Sequence, residues 1–330
     1  MRYIFGPVPS RRLGQSLGID PTPTKESSLS LEGIHADAVP EPRKFCNWNC
    51  VYCQLGRTRP YRATRSSYFA PEAMYAELRT VLASEIARGI DWITFVGSGE
   101  PTLNQDLGAM IRGVKTMTAL PVAVITNGSL LSLGKVREDL SAADAVLPSL
   151  DAGSAALFRR INRPHPDFDF ERHVEGLVAF GSEFTGRLWL EVMLISGFND
   201  DEASLKDLAA VIERISPNEV HLVLPTRPPA EPWVRPSGEE GIARAQELLG
   251  RAAPVLHPLK EYGDFSAGGE SDHSVAAAAI LLRHPMSDKE LREFFQHCGV
   301  ADAESAITVL QTAGKAVEIF RGGVKFWRSP

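Results

Sequence analysis

Only four cysteines occur in the 330 residues. That scarcity excludes a disulfide-stapled scaffold, which spreads paired cysteines through a shorter secreted chain. No apolar run approaches the ~20 residues of a membrane-spanning helix, and the stretch 276–282 falls far short of it. Residues 1–7 lack the apolar core of a secretory leader, so a cytoplasmic location with no membrane partner is expected. Hydrophobic residues make up 44% and charged residues 23%, with a net charge of −6; disorder, collagen and coiled coil are therefore poor readings. The length allows one large α/β unit plus a small one, or two medium ones.

The first 44 residues read as an irregular N-terminal segment, with prolines at 7, 9, 21, 23 and 40 and a serine-rich stretch at 27–30. From Pro71 the pattern alternates. Met74, Leu78, Val81, Leu82 and Ile86 recur on one face and predict a helix over 71–88. Further helices are predicted at 107–117, 170–180, 205–215 and 239–252, and strands at 92–96, 121–126, 145–150, 188–195 and 219–224. Strands separated by helices of this length predict parallel βα units, with ligand groups in the loops that follow the strands. Residues 266–271 (SAGGES) predict a linker between a unit over 1–265 and one over 272–330. Beyond it, helical patterns at 273–282, 287–297 and 302–313 precede a hairpin around Arg321-Gly322-Gly323, which is the winged-helix order.

Three of the four cysteines, Cys46, Cys50 and Cys53, form C-x3-C-x2-C. A tetrahedral zinc or an ordinary Fe–S cube takes four protein ligands, and this motif supplies three. On a four-iron cube, one iron is then left for another ligand. The alternatives are a structural zinc completed by a distant histidine, or a cluster completed by Cys298.

With its flanks, K-F-C-N-W-N-C-V-Y-C-Q-L-G, the motif resembles the radical S-adenosylmethionine (SAM) superfamily, and the resemblance covers roughly residues 1–265. It implies an enzyme built on an α/β fold, a partial (β/α)6 TIM-like barrel, here with a small winged-helix-like C-terminal domain. It also implies that Cys46, Cys50 and Cys53 hold a [4Fe–4S] cluster whose fourth iron is chelated by SAM. One-electron reduction, from a donor of the flavodoxin or ferredoxin type, then cleaves SAM to a 5′-deoxyadenosyl radical that abstracts a substrate hydrogen. Tyr52, before the last cysteine, is expected to border the adenine.

Gly97-Ser98-Gly99-Glu100, after the strand predicted at 92–96, resembles the family's loop for the SAM amine, with Ser98 replacing one of two adjacent glycines. Glycines let backbone carbonyls approach a cationic amine closely, and Glu100 can add charge. Thr126 and Asn127 follow the next strand, and Ser149 and Asp151 the one after. Such groups suit a ribose or a methionine carboxylate; equally they serve as turn and cap residues. The segment 191–199 resembles the strand whose backbone meets adenine.

Residues 5–14, 53–58 and 224–231 narrow the resemblance to the bacterial and archaeal wyosine-synthase-related Fe–S oxidoreductases. 4-Demethylwyosine synthase itself carries a second cluster on further cysteines. Cys298 alone is left here, so a single cluster is expected.

Residues 1–65 hold ten Lys/Arg against five Asp/Glu. Arg57 lies just after the cysteines, and Arg11, Arg12 and Arg227 are further candidates for binding an anionic substrate, either an RNA base or a small metabolite. The competing reading is a solvated loop with salt bridges. A second function class is an Fe–S-dependent redox- or iron-sensing regulator with the winged helix as DNA reader. Its third helix, 302–313, holds two acidic residues and no basic one, whereas a DNA-reading helix carries cations. Specific DNA binding is therefore not expected.

Overall fold

The computed structural model describes residues 2–23, 44–256, 265–267 and 270–330. The serine-rich stretch and Gly268-Gly269 of the expected linker lie outside these. Eight strands form one sheet in sequence order: β1 (Ile4–Ser10), β2 (Gly14–Ile19), β3 (Trp92–Phe95), β4 (Val122–Thr126), β5 (Ala145–Pro148), β6 (Arg187–Met193), β7 (Glu219–Val223) and β8 (Val255–Leu256). β1 is antiparallel to β2, and every later neighbour is parallel. Ser16 of β2, Thr94 of β3, Ile125 of β4, Met193 of β6 and His221 of β7 all line one cavity, so the sheet curls around it as an open half-barrel. This is the expected partial (β/α)6 architecture.

The irregular reading of residues 1–44 is corrected, because 4–19 form a β-hairpin. Its prolines misled: Pro7 and Pro9 lie in β1, an edge strand, where a missing N–H breaks no inner ladder, and the register shifts between Phe5 and Val8.

Helices α1 (Pro71–Leu82), α2 (Leu107–Met117) and α3 (Gly134–Leu140) cover the outside of the sheet, α4 (Ala155–Ile161) packs Leu157, Phe158 and Ile161 against the cysteine loop, and α5 (Phe170–Glu183), α6 (Glu202–Ile215) and α7 (Glu239–Leu249) complete the outer layer. In α6, Leu205, Leu208, Val211, Ile212 and Ile215 are buried, the spacing of a single core-facing stripe. Asp201 caps it by accepting the Ser204 N–H at 3.0 Å. The helix predicted over 71–88 stops earlier, and Glu85–Gly89 is a 3-10 turn. Ser84 Oγ donates to the Val81 carbonyl at 2.7 Å, a local bond that competes with helix continuation.

The C-terminal unit packs α8 (His273–Arg283), α9 (Asp288–His297) and α10 (Ala303–Thr312) against a sheet ordered β10 (Val317–Arg321), β11 (Val324–Arg328), β9 (Met286–Ser287). Ile280, Leu281, Leu291, Phe294, Phe295, Ile307 and Trp327 form its own buried cluster, against which Val8 of β1 packs. Ser287 and Glu290 make a reciprocal capping box on α9. Among the described residues, no helix is long and apolar enough to cross a membrane.

Candidate active site

The loops at the C-terminal ends of β2 to β7 meet at one end of the half-barrel, as parallel strand order requires. The cysteine loop after β2 is stitched to the loop after β3. Phe45 N–H donates to the Ser98 carbonyl at 2.9 Å, and Glu100 N–H donates to the Phe45 carbonyl at 2.8 Å. This parallel bridge centres on Gly99, where a Cβ would stand 1.7 Å from the Phe45 carbonyl oxygen. Only glycine permits that approach.

Cys46 and Cys50 are buried and Cys53 is half-buried. Asn127 Nδ2 donates to Cys46 Sγ at 3.7 Å, Asn162 Nδ2 to Cys50 Sγ at 3.8 Å, and the Trp48 N–H to Cys46 Sγ at 3.4 Å. Burial pushes the Cys46 thiol up to about 11 and raises Cys50 too, with Lys44 pulling both back. Lys44 is buried, which disfavours its charge, yet the three thiols, Cys53 foremost, hold its ammonium above the usual range.

As they stand, no three His, Cys, Asp or Glu side chains among the described residues converge on one metal-ion position. The donor set nevertheless fits an iron–sulfur cluster. Three soft thiols lie in one loop, two of them receive amide hydrogen bonds of the kind that tune cluster sulfurs, and a buried cation offsets their charge.

Glu100 behaves differently from its sequence reading. Its carboxylate accepts from Thr102 N and Oγ1 at 3.0 and 2.6 Å, Thr126 Oγ1 at 2.5 Å and Asn127 N at 2.7 Å. Burial raises its pKa against these four donors. It locks the loops after β3 and β4 together, bringing Thr126 and Asn127 to the cysteines. Asn127 Nδ2 also donates to Asn47 Oδ1 at 2.7 Å.

Asp151 forms a second hub. It accepts from Tyr52 Oη at 2.6 Å, Asn162 Nδ2 at 2.6 Å and Met193 N at 2.9 Å. Burial raises its pKa, while burial and Asp151 push the Tyr52 phenol well up. Ser149 is half-buried, and its N–H donates to the Thr126 carbonyl at 3.1 Å.

A cavity of about 860 Å³ adjoins these loops, lined by Tyr52, Cys53 and Gly97 and by Arg11, Arg12 and Arg227. Arg12 pairs with Glu191, and Arg227 holds Glu290 of α9 bidentately at 2.8 and 3.0 Å. Arg57 does not line the cavity; it pairs with Glu231 at 3.0 Å with its side chain 50% exposed. For Arg57 the salt-bridge reading is the one the geometry realises.

Several residues here carried no motif. Asp20, fully buried at the end of β2, accepts from Ser98 N and Oγ at 3.0 and 2.7 Å and from Thr22 N and Oγ1 at 3.0 and 2.6 Å. Arg283 of α8 donates to it at 2.8 Å. Lys44 was visible in the flank of the first cysteine. Asp20, Asn162, His221 and Arg283 are isolated in sequence and gave no signal; Glu191 opens the 191–199 segment, but nothing in that segment marked its side chain as the partner of Arg12.

Comparison with known proteins agrees with this layout. Residues 41–209 match the radical SAM superfamily. A UPF0026 protein of Methanocaldococcus jannaschii is 30% identical over 331 residues, covering 99% of this chain and 96% of that protein. The "GTPase Obg" of Brachyspira hyodysenteriae is 38% identical over 248 residues, 75% of this chain, but the match spans only 33% of that protein's length. The solved structure of TYW1 with a lysine-pyruvate adduct bound shares the fold, with a TM-score of 0.50 and 18% identity over 72% of this chain and 74% of that one. With the cysteine loop inside the matched region and a relative aligned from end to end, the chain belongs to the radical SAM superfamily of enzymes.

Proposed function

We propose that this protein holds one [4Fe–4S] cluster on Cys46, Cys50 and Cys53, binds SAM across the loops after β3, β4 and β5, and removes hydrogen from an anionic substrate, an RNA base or a small metabolite. The observation that carries the reading is the Phe45–Gly99 bridge, which holds the cysteine loop against the glycine loop. When bound, the cluster would supply the electron that cleaves SAM to a 5′-deoxyadenosyl radical, drawn from a flavodoxin- or ferredoxin-like donor.

The chain's own residues set up that chemistry. Asp20 holds the Ser98 backbone from one side, and Glu100 holds Thr126 and Asn127 from the other. The Gly97–Gly99 segment thus presents its backbone in a fixed conformation to a cationic amine. Asp151 anchors Tyr52 beside Cys53, fixing the ring proposed to border adenine. Preorganised polar groups of this kind need no rearrangement at the moment of reaction.

Anaerobically purified protein is expected to carry iron and sulfide near four each per chain. Reduced with dithionite in the presence of SAM, it should form 5′-deoxyadenosine. Cys50→Ala should lose both the iron and the product. A Cys50→Ala variant that still cleaves SAM, or a native protein holding one zinc and no iron, would overturn the proposal. The regulator reading finds no support in α10, which carries Glu304 and no Lys or Arg.

A further inference from the structure

We propose that the lumen cavity is the chamber for a small substrate that carries both an oxyanion and a hydroxyl group, such as a sugar phosphate or a hydroxy acid, and that the C-terminal unit forms part of its wall. This rests on the radical SAM reading and names the substrate class for that site. At about 860 Å³, the cavity is of the size that encloses a small molecule. It reaches Tyr52 and Cys53 of the cysteine loop and Gly97 of the glycine loop, so its occupant would lie beside the proposed cofactors.

The charge in the lining is one-sided. Arg11, Arg12, Arg227, Arg283, His221 and His284 line the cavity, and no Asp or Glu among the described residues does. The carboxylates that pair with three of these arginines, Glu191, Glu290 and Asp20, stand outside the lining. Glu191 and Glu290 thereby orient Arg12 and Arg227, which keep further N–H donors for an oxyanion; Arg283 already donates from all three guanidinium nitrogens, to Asp20 and to the Ala279 and Arg2 carbonyls. Apolar walls from Leu13, Ile125 and Leu222 leave room for a carbon skeleton.

His221 supplies the hydroxyl requirement. It is 2% exposed on β7, and its Nε2 lies 3.0 Å from Glu219 Oε2. A carboxylate only accepts, so Nε2 donates and Nδ1 is left as an acceptor. Nδ1 has no partner among the described residues. A buried acceptor without a donor calls for one; Nδ1 is closed to solvent in this structure, so a substrate hydroxyl would supply the donor by displacing the side chains over it. Burial holds the ring neutral, at about 4, which preserves that acceptor. His284 Nε2 is a second buried ring nitrogen in the lining without a partner among the described residues.

Size selection follows from the wall that the C-terminal unit adds. Arg283 and His284 belong to the C-terminal unit. Gln54 Nε2 donates to the Arg283 carbonyl at 3.3 Å, and Arg227 clamps Glu290. These contacts hold the C-terminal unit against the cysteine loop and the loop after β7 as one wall of the chamber, which favours a small molecule over an RNA.

The test is calorimetric titration of the SAM-loaded, cluster-reconstituted protein with four probes: glycerol phosphate, glycerate, methyl phosphate and glycerol. Expected is binding of glycerol phosphate or glycerate, with the stronger of the two naming phosphate or carboxylate, and at least tenfold weaker binding of methyl phosphate and glycerol. Arg12→Met and His221→Phe should each weaken the preferred probe at least tenfold, leaving iron content and SAM affinity unchanged. Arg12→Lys should recover part of the Arg12 loss, and His221→Gln replaces His221→Phe should the latter fail to fold. Equal binding to wild type and variants, no binding of any probe, or binding of an RNA alone would overturn the proposal. Methyl phosphate binding as well as glycerol phosphate would overturn the hydroxyl requirement. Failure of the radical SAM reading shows separately, as absent iron or absent SAM binding.

Discussion

Replacing Arg283 with methionine removes a cation whose side chain is 2% exposed from a carboxylate, Asp20, that is fully buried. Breaking a buried ion pair from one side costs about 3–5 kcal/mol, because the remaining charge is stranded. Asp20 keeps four donors, two each from Ser98 and Thr22, which places the cost near the low end, about 3 kcal/mol. Arg283 also donates to the Arg2 carbonyl at 2.7 Å and lies over the Phe5 ring, and methionine replaces only the apolar part of that packing. At about 2–4 °C per kcal/mol for chains somewhat smaller than this one, the melting temperature should fall by about 6–12 °C. The pair also reaches the glycine loop through Ser98, so SAM affinity should drop by roughly tenfold, the equivalent of 1.4 kcal/mol. The assay is urea unfolding of wild type, Arg283→Met, Asp20→Asn and the double variant, with SAM titration of each. The double variant should be more stable than the sum of the singles predicts. Additivity within about 0.5 kcal/mol, or an Arg283→Met cost below 1 kcal/mol, would refute the reasoning.

Gly99→Ala should lower iron retention and cost about 3 kcal/mol, because its Cβ would overlap the Phe45 carbonyl; a variant with full iron content would show that the loops can part freely. Arg57→Ala should change stability by less than about 1 kcal/mol and leave SAM cleavage roughly as in wild type, since Arg163 still pairs with Glu231 at 2.5 Å; a large loss of substrate binding would return Arg57 to the site. His173 is held near 4 by burial, which outweighs the nearby backbone of Ser149 and Gly128. A depressed histidine binds its proton more readily when unfolded, so its contribution is complete above about pH 6.5 and is lost as pH falls toward 4. The stability difference between wild type and His173→Phe should therefore shrink by up to about 1.4 kcal/mol per pH unit over that window. Comparing the two proteins cancels the opposite trend from the raised Glu100 and Asp151, and a pH-independent difference in urea midpoints would refute the assignment.

The parallel βα alternation and the cysteine triplet were legible because both are local. Buried stripes such as that of α6 repeat at helical spacing within one segment, and Cys46, Cys50 and Cys53 lie in a single loop. The N-terminal hairpin was hidden by prolines that an edge strand tolerates. α3 and α4, seven residues each, were too short for periodicity to show.

The arginines illustrate the limit most clearly. Arg12, Arg57 and Arg227 look alike as charged residues near motifs, yet each has a different fate. Arg12 lines the cavity with Glu191 as its partner, Arg57 pairs outside it with Glu231, and Arg227 clamps the C-terminal unit through Glu290. Each partner lies at least 63 residues away along the chain. Likewise Glu100 carries the expected motif but turns inward to four donors.

Sequence alone determined the chemistry of the thiols, the glycine loop and the order of the βα units, since these depend on residue type and short spacing. Tertiary structure alone decided which charges face the cavity and which are neutralised. Asp20 meets Arg283 across 263 positions, and the energy of a charge is set by what burial and folding bring beside it.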